Sequence, residues 1–238
     1  DTSLSVMREF DMEPAMFLLC LLRTYGLFAK LGKVLVFVFM LSQPVFAAQP
    51  SKVLMLGDSL TQGYGLLDHE GLVPQLQKWF NDRGHDILFS NAGVSGDTTA
   101  GGLDRVEWML DGQMKSVVVA LGGNDMLRGI PPEASRENLR GILEILRKEN
   151  RQIIVVGMVA PPNYGPEYKA QFDAMFPELA KEFDAAYIPS FFVPLMEFGL
   201  GSEELRAVMQ YDGIHPNPKG VSMIVEYIGP ILEQVLLP

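Results

Sequence analysis

From residue 53 onward the chain alternates between short apolar runs and amphipathic stretches. Val53-Leu54-Met55-Leu56 is continuously apolar and predicts a strand buried on both faces, followed by a Gly-bearing polar turn. Leu72, Val73, Leu76, Trp79 and Phe80 repeat at helical spacing and predict a helix over 71–83. A second strand is expected at 87–89 and a second helix over 102–110. Val117 to Leu121 is β-branched and apolar throughout, the clearest strand of the chain. The helix over 133–150 has Leu139, Ile142, Leu143, Ile145 and Leu146 on one side and charges on the other. A fourth strand at 153–156, a helix over 168–183, a short fifth strand at 186–188 and a closing helix over 217–236 complete the pattern.

Strands alternating with helices of these lengths imply βαβ units and a parallel sheet covered on both faces. The predicted architecture is therefore α/β: a three-layer α/β/α sandwich with a five-stranded parallel sheet. Strand order 2-1-3-4-5 would gather the turns after the first three strands around one crevice, where open α/β sheets bind ligands. The stretches 160–167 and 190–211 are irregular, rich in Pro, Gly and aromatics, and suited to shaping a substrate.

The chain has 238 residues, 48% of them hydrophobic and 20% charged, an ordinary globular composition. Its net charge of −10 sets it against nucleic-acid backbones, so no nucleic-acid partner is expected. Cys20 is the only cysteine, which excludes a disulfide framework and a Cys-based zinc site. Residues 1–47 read as an N-terminal extension with a secretory signal. Arg23, Lys30 and Lys33 precede an apolar run from Val34 to Leu41, and the small residues Ala47 and Ala48 follow. Cleavage near Ala47/Ala48 would leave residues 48–238 as one domain in the periplasm or outside the cell. The alternative is an uncleaved anchor, because Met16 to Leu22 adds a second apolar patch. Arg8, Arg23, Lys30 and Lys33 balance Asp1, Glu9, Asp11 and Glu13, so removing the extension leaves the net charge unchanged.

Three Gly-bearing polar turns follow the first three strands: Gly57-Asp58-Ser59-Leu60, Asn91 to Asp97, and Gly122-Gly123-Asn124-Asp125. A fourth, Asp212-Gly213-Ile214-His215-Pro216, precedes the last helix. Ester hydrolysis needs a nucleophile, a base, a group that orients the base, and donors for the oxyanion. Ser59 stands on a tight turn. His215 is the one histidine beyond the extension that lies in such a turn, and Asp212 precedes it by three residues, a spacing expected to place both on one helical face. The backbone N–H groups of Ser59 and Gly96 and the side-chain amide of Asn124 are the candidate oxyanion donors.

These blocks, in this order, resemble the SGNH (GDSL) hydrolases, and most of all the exported acyl-CoA thioesterase, lysophospholipase and arylesterase branch. The resemblance runs through Val53 to Leu60 with Gly63-Tyr64, Asn91-Ala92 with Ser95 to Thr98, Leu121 to Asp125 with Leu127-Arg128-Gly129, Pro162 to Gly165, Leu179 to Asp184, and Asp212 to Asn217. It implies Ser59 as nucleophile, Asp212 and His215 as its partners, Gly96 and Asn124 in the oxyanion hole, and a mobile loop from Asp125 to Ile130. Two features depart from the branch's pattern. Gly93 is not assigned to the hole, and the segment 191–210 is more similar to the arylesterase-type members.

Asp58 and Asp125 read as turn stabilisers, and His69 and His85 as surface histidines. No His or carboxylate cluster has metal-ligand spacing, and no cofactor is expected. Neither G-x-S-x-G nor a phosphate-cradling glycine motif is present at the first turn. Met126, Leu127, Ile130, Met158 and Tyr164 are the candidate lining of an acyl pocket. The expected function is a serine esterase acting on acyl esters and thioesters, lysophospholipids among them, as a monomer with at most transient membrane contact. A carbohydrate O-acetyl esterase and a non-catalytic lipid or glycan binder on the same scaffold are the alternatives.

Overall fold

A computed structural model describes residues 50–237; the predicted signal segment lies outside the described residues. Five strands form one parallel sheet: β1 (Ser51–Gly57), β2 (Ile87–Gly93), β3 (Met114–Ala120), β4 (Gln152–Val156) and β5 (Ala186–Ile188), in the spatial order β2-β1-β3-β4-β5. This is the expected order, and every neighbouring pair is parallel. The longer helices are α2 (Leu72–Asp82), α3 (Thr99–Met109), α5 (Pro132–Lys148), α6 (Pro166–Glu182) and α9 (Pro218–Leu236). Four short ones lie in the connections: α1 (Ser59–Gln62), α4 (Gly123–Leu127), α7 (Val193–Met196) and α8 (Glu203–Arg206).

Alternation along each strand divides the core in two. Leu54, Leu56, Val117, Val119, Ile153 and Val155 face α5 and α6, meeting Leu139, Ile142, Phe172 and Phe176. Val53, Met55, Val118, Ile154 and Val156 face the other way, against Leu76, Trp79 and Phe80 of α2 and Val221, Ile224 and Ile228 of α9. The sheet is thus covered on both sides, which explains why its strands read as continuous apolar runs. Side chains start two of the longer helices. Thr98 caps α3 by accepting the Gly101 N–H at 3.3 Å. Asn217 caps α9 by accepting the N–H groups of Lys219 and Gly220 at 3.0 and 3.1 Å.

Most element boundaries shift by one to three residues from the sequence expectation, and two differences bear on the site. Asn91 to Gly93, expected in a turn, are the last residues of β2, because pairing with β1 continues to Gly57 opposite Gly93. The helix expected from 102 begins at Thr99, where the Thr98 cap sets its first turn. No helix among the described residues is long and apolar enough to cross a membrane.

β1 lies between β2 and β3, so the chain leaves it in one direction on the way to β2 and returns past it to β3. The carboxyl ends of these three strands therefore deliver their turns to one crevice.

Candidate active site

Ser59 is the first residue of α1, immediately beyond β1. Asp58 caps this short helix, its Oδ1 accepting the Leu60 N–H at 3.1 Å, and Gly63 ends it in the left-handed region at φ 91°. A helix of four residues turns the chain back so tightly that the Ser59 hydroxyl clears the end of the sheet. The hydroxyl oxygen lies 2.8 Å from His215 Nε2. On the far side of the ring, His215 Nδ1 lies 2.6 Å from Asp212 Oδ2. One carboxylate, one imidazole and one hydroxyl thus form a continuous hydrogen-bonded chain.

Asp212 and His215 do not share a helical face, as their spacing suggested. They lie in an irregular turn before α9, and the carboxylate itself folds it: Oδ1 accepts the N–H groups of Ile214 and His215 at 2.9 and 3.0 Å. An aspartate that can bond the backbone two and three residues ahead competes with helix formation, and here the turn prevails. The His215 carbonyl also accepts the Gln210 N–H at 2.7 Å, which ties down the turn's other end. Partial burial works to raise the Asp212 carboxyl, but the His215 N–H, the His215 ring and the Ile214 N–H outweigh it and hold the group at about 2. Asp212 is therefore ionised at any ordinary pH and favours a proton on the facing Nδ1.

Gly96 follows β2 in the left-handed region at φ 79°, a conformation that favours glycine. Asn124 is the second residue of α4, beyond β3. Ser59, Gly96, Asn124 and His215 all line one cavity of about 740 Å³. Among the described residues, no protein group accepts a hydrogen bond from the Gly96 N–H or the Asn124 side-chain amide. Both remain available to a ligand.

Of the five residues expected in the acyl pocket, Met126, Leu127 and Met158 line this cavity, together with Val159, Leu195 and Met196. Ile130 and Tyr164 do not. The Ile130 carbonyl is engaged by the Tyr168 hydroxyl at 3.0 Å. The Tyr164 hydroxyl donates to the Leu127 carbonyl at 3.3 Å, and its ring packs against Tyr168, behind the α4 turn. Ile130 follows the third block and Tyr164 lies in the separate 162–165 stretch, and both are turned to bonds behind the α4 turn rather than into the cavity.

Other residues contribute that the sequence reading left aside or assigned only to turns. The Tyr64 ring sits 4.8 Å from the His215 ring and closes one side of it. Asp58 does bond its own turn, and it also lines the cavity. Burial lifts its carboxyl to about 6, against the pull of the Leu60 N–H and of nearby His215. Asp125 reaches further than its own turn. It accepts the Thr99 N–H at 2.9 Å, the Thr99 hydroxyl at 2.5 Å and the Ser135 hydroxyl at 2.9 Å, joining α4 to the starts of α3 and α5. His69 is exposed, whereas His85 is half-buried and pairs with Glu233. Among the described residues no group of three or more His, Cys, Asp or Glu side chains is placed to hold a metal ion.

A Ser–His–Asp chain at the switch point of a parallel sheet, beside free N–H donors and an apolar cavity, defines a serine hydrolase of the three-layer α/β/α type. Residues 55–222 match the family model for the GDSL-like Lipase/Acylhydrolase family, and the chain belongs to that family of ester-bond hydrolases. Esterase TesA of Pseudomonas aeruginosa is 36% identical over 190 residues, 79% of this chain and 91% of that protein. The thioesterase 1/protease 1/lysophospholipase L1 of Escherichia coli K12 is 34% identical over 202 residues, covering 84% and 92%. Among solved structures, the psychrotrophic esterase EstA from Pseudoalteromonas sp., inhibited by monoethylphosphonate, superposes with a TM-score of 0.72 at 30% identity. That match covers 79% of this chain and all of EstA.

Proposed function

We propose that the site hydrolyses acyl esters and thioesters through an acyl-enzyme, with Ser59 as nucleophile, His215 as general base and acid, and Asp212 as its orienting partner. The 2.8 Å contact between Ser59 Oγ and His215 Nε2 carries this reading. The imidazole takes the hydroxyl proton as Oγ attacks the substrate carbonyl carbon. The carbonyl oxygen becomes an oxyanion, met by the N–H groups of Ser59 and Gly96 and the amide of Asn124. The tetrahedral species then collapses and expels the alcohol or thiol, which takes its proton from His215. A water deprotonated by the same nitrogen attacks the acyl-serine and releases the carboxylic acid. Asp212, ionised throughout, stabilises the imidazolium that forms in each half-reaction.

The cavity lined by Met126, Leu127, Met158, Leu195 and Met196 supports an acyl chain as the bound group. The reaction requires no cofactor. The names of the relatives, esterase and thioesterase/lysophospholipase, support acyl esters, thioesters and lysophospholipids as substrate classes. The signal pattern in residues 1–47 supports export, and we extend the proposal to a monomer that touches membranes only transiently. Hydrolysis of p-nitrophenyl butyrate and of an acyl-CoA by wild-type protein and Ser59→Ala tests the reading. The variant should keep the wild-type melting temperature and lose at least about 10³-fold in kcat. Turnover near the wild-type rate would overturn the assignment.

A further inference from the structure

Arg105, on α3, points away from solvent and into the space between the first two strand-end turns. Its Nε donates to Asp97 Oδ2 at 2.8 Å, its Nη1 to the Ala92 carbonyl at 2.8 Å and its Nη2 to the Gly57 carbonyl at 3.0 Å. The three acceptors belong to three different segments. Gly57 ends β1, two residues before Ser59; Ala92 is in the last turn of pleat of β2; Asp97 follows Gly96 directly. Both charged side chains are largely buried, at 16% and 11% exposure, so water competes little for these bonds. The other Asp97 oxygen accepts the Thr98 N–H at 3.1 Å, which leaves the carboxylate fixed at both ends.

We propose that Arg105 is a positioning residue for the reaction: its guanidinium fixes the separation between the Ser59 turn and the Gly96 turn, so that hydroxyl and N–H meet the same carbonyl group. The inference rests on the roles given above to Ser59 and Gly96. Strand pairing alone does not supply this separation. β1 and β2 are in register from Ser51 opposite Ile87 to Gly57 opposite Gly93, and the ladder stops there. Ser59 and Gly96 both lie beyond it. Past the last pair, the Val94 N–H donates to the Gly57 carbonyl at 3.1 Å, and Arg105 bonds that same oxygen from the other side. A planar fork with donors in fixed directions can hold three acceptors at set distances, which an ammonium on a flexible stem cannot. Paired with Asp97, the guanidinium presents no uncompensated charge, so it acts by geometry rather than by its field at the oxyanion.

The test compares wild-type protein with Arg105→Lys, Arg105→Met, Asp97→Asn and the Arg105→Met/Asp97→Asn double variant, each measured for melting temperature and for kcat and KM on p-nitrophenyl butyrate. Loss of the clamp should lower kcat about 10²-fold with KM little changed, the cost of a displacement near 1 Å at the reacting atoms. Arg105→Lys should melt near the wild type yet stay slow. The double variant should lose no more than the worse single one, because the pair acts as a unit. Folded variants with wild-type kcat, or with only KM raised, would overturn the inference. So would failure of all of them to fold, which would make the pair a folding element alone. An inactive wild type would instead defeat the proposed function itself.

Discussion

Two carboxyl groups flank the Ser59–His215 contact, and their surroundings pull them in opposite directions. Burial lifts Asp58 to about 6, so the folded chain holds this proton more tightly than an unfolded chain, where the value is near ~4. Ionising Asp58 therefore costs stability as pH rises from ~4 to about 6, and the cost stays constant above that. Asp58→Asn should stabilise the protein by up to about 3 kcal/mol above pH 6, from ~1.4 kcal/mol per pH unit, and by little at pH 4. Denaturant titrations at pH 4 and pH 8 measure this, and an equal effect at both would contradict the account. Asp212 behaves in the opposite sense. Held at about 2, it contributes stability that is present above ~4 and is lost as pH falls toward about 2. Asp212→Asn leaves the turn's shape in place but no longer favours a proton on His215 Nδ1. Its kcat should fall by about 10³–10⁴-fold while its circular dichroism stays native. Activity within tenfold of wild type would remove Asp212 from the mechanism.

At the scale of elements, the site depends on how the strand-end turns pack against one another. A Cβ on Gly93 would stand 2.2 Å from the Gln62 backbone N and 2.7 Å from the Gln62 Cα, so the end of β2 presses directly on α1. Backbone cannot swing aside as a flexible side chain can. Gly93→Ala should destabilise the protein by about 1–3 kcal/mol and displace the helix that carries Ser59, lowering kcat as well. Unchanged melting and kcat would show that this contact is slack. Asp125 supports the neighbouring turn from below, accepting three hydrogen bonds from Thr99 and Ser135 with no exposure to water. Asp125→Ala would strand those donors and should cost on the order of 3 kcal/mol, read as a lower denaturation midpoint. An unchanged midpoint would mean that water replaces the carboxylate.

Over the whole molecule, the features legible in the sequence are those encoded by runs and periods. The apolar runs became the strands, most plainly in β1, β3 and β4, which are buried on both faces. The edge strands β2 and β5 are partly exposed, and helix spacing revealed the five long helices. The Ser, Gly and Asn blocks were legible because each sits in a Gly-bearing turn at a strand end, and the His block because it sits in a Gly-bearing turn before the last helix. Helices of four or five residues, such as α1 and α4, complete scarcely more than one turn and leave no periodic signal. Arg105 was hidden for a different reason. In sequence it is one charge among Asp104, Arg105 and Glu107 on an amphipathic helix, and only the meeting of β1, β2 and α3 shows that it points inward. Ile130 and Tyr164 mark the same limit from the other side: both come from stretches that resemble the family's, yet one engages Tyr168 and the other Leu127 outside the cavity.

Treatment with a fluorophosphonate probe, followed by peptide mapping on a mass spectrometer, examines the union of these scales in one step. Attack on phosphorus requires the hydroxyl, the imidazole and the oxyanion donors to act together. The account predicts a single adduct per chain, located on Ser59, absent from Ser59→Ala and strongly slowed in His215→Ala. Adduct formation on another residue, or none on a folded wild-type protein, would contradict it.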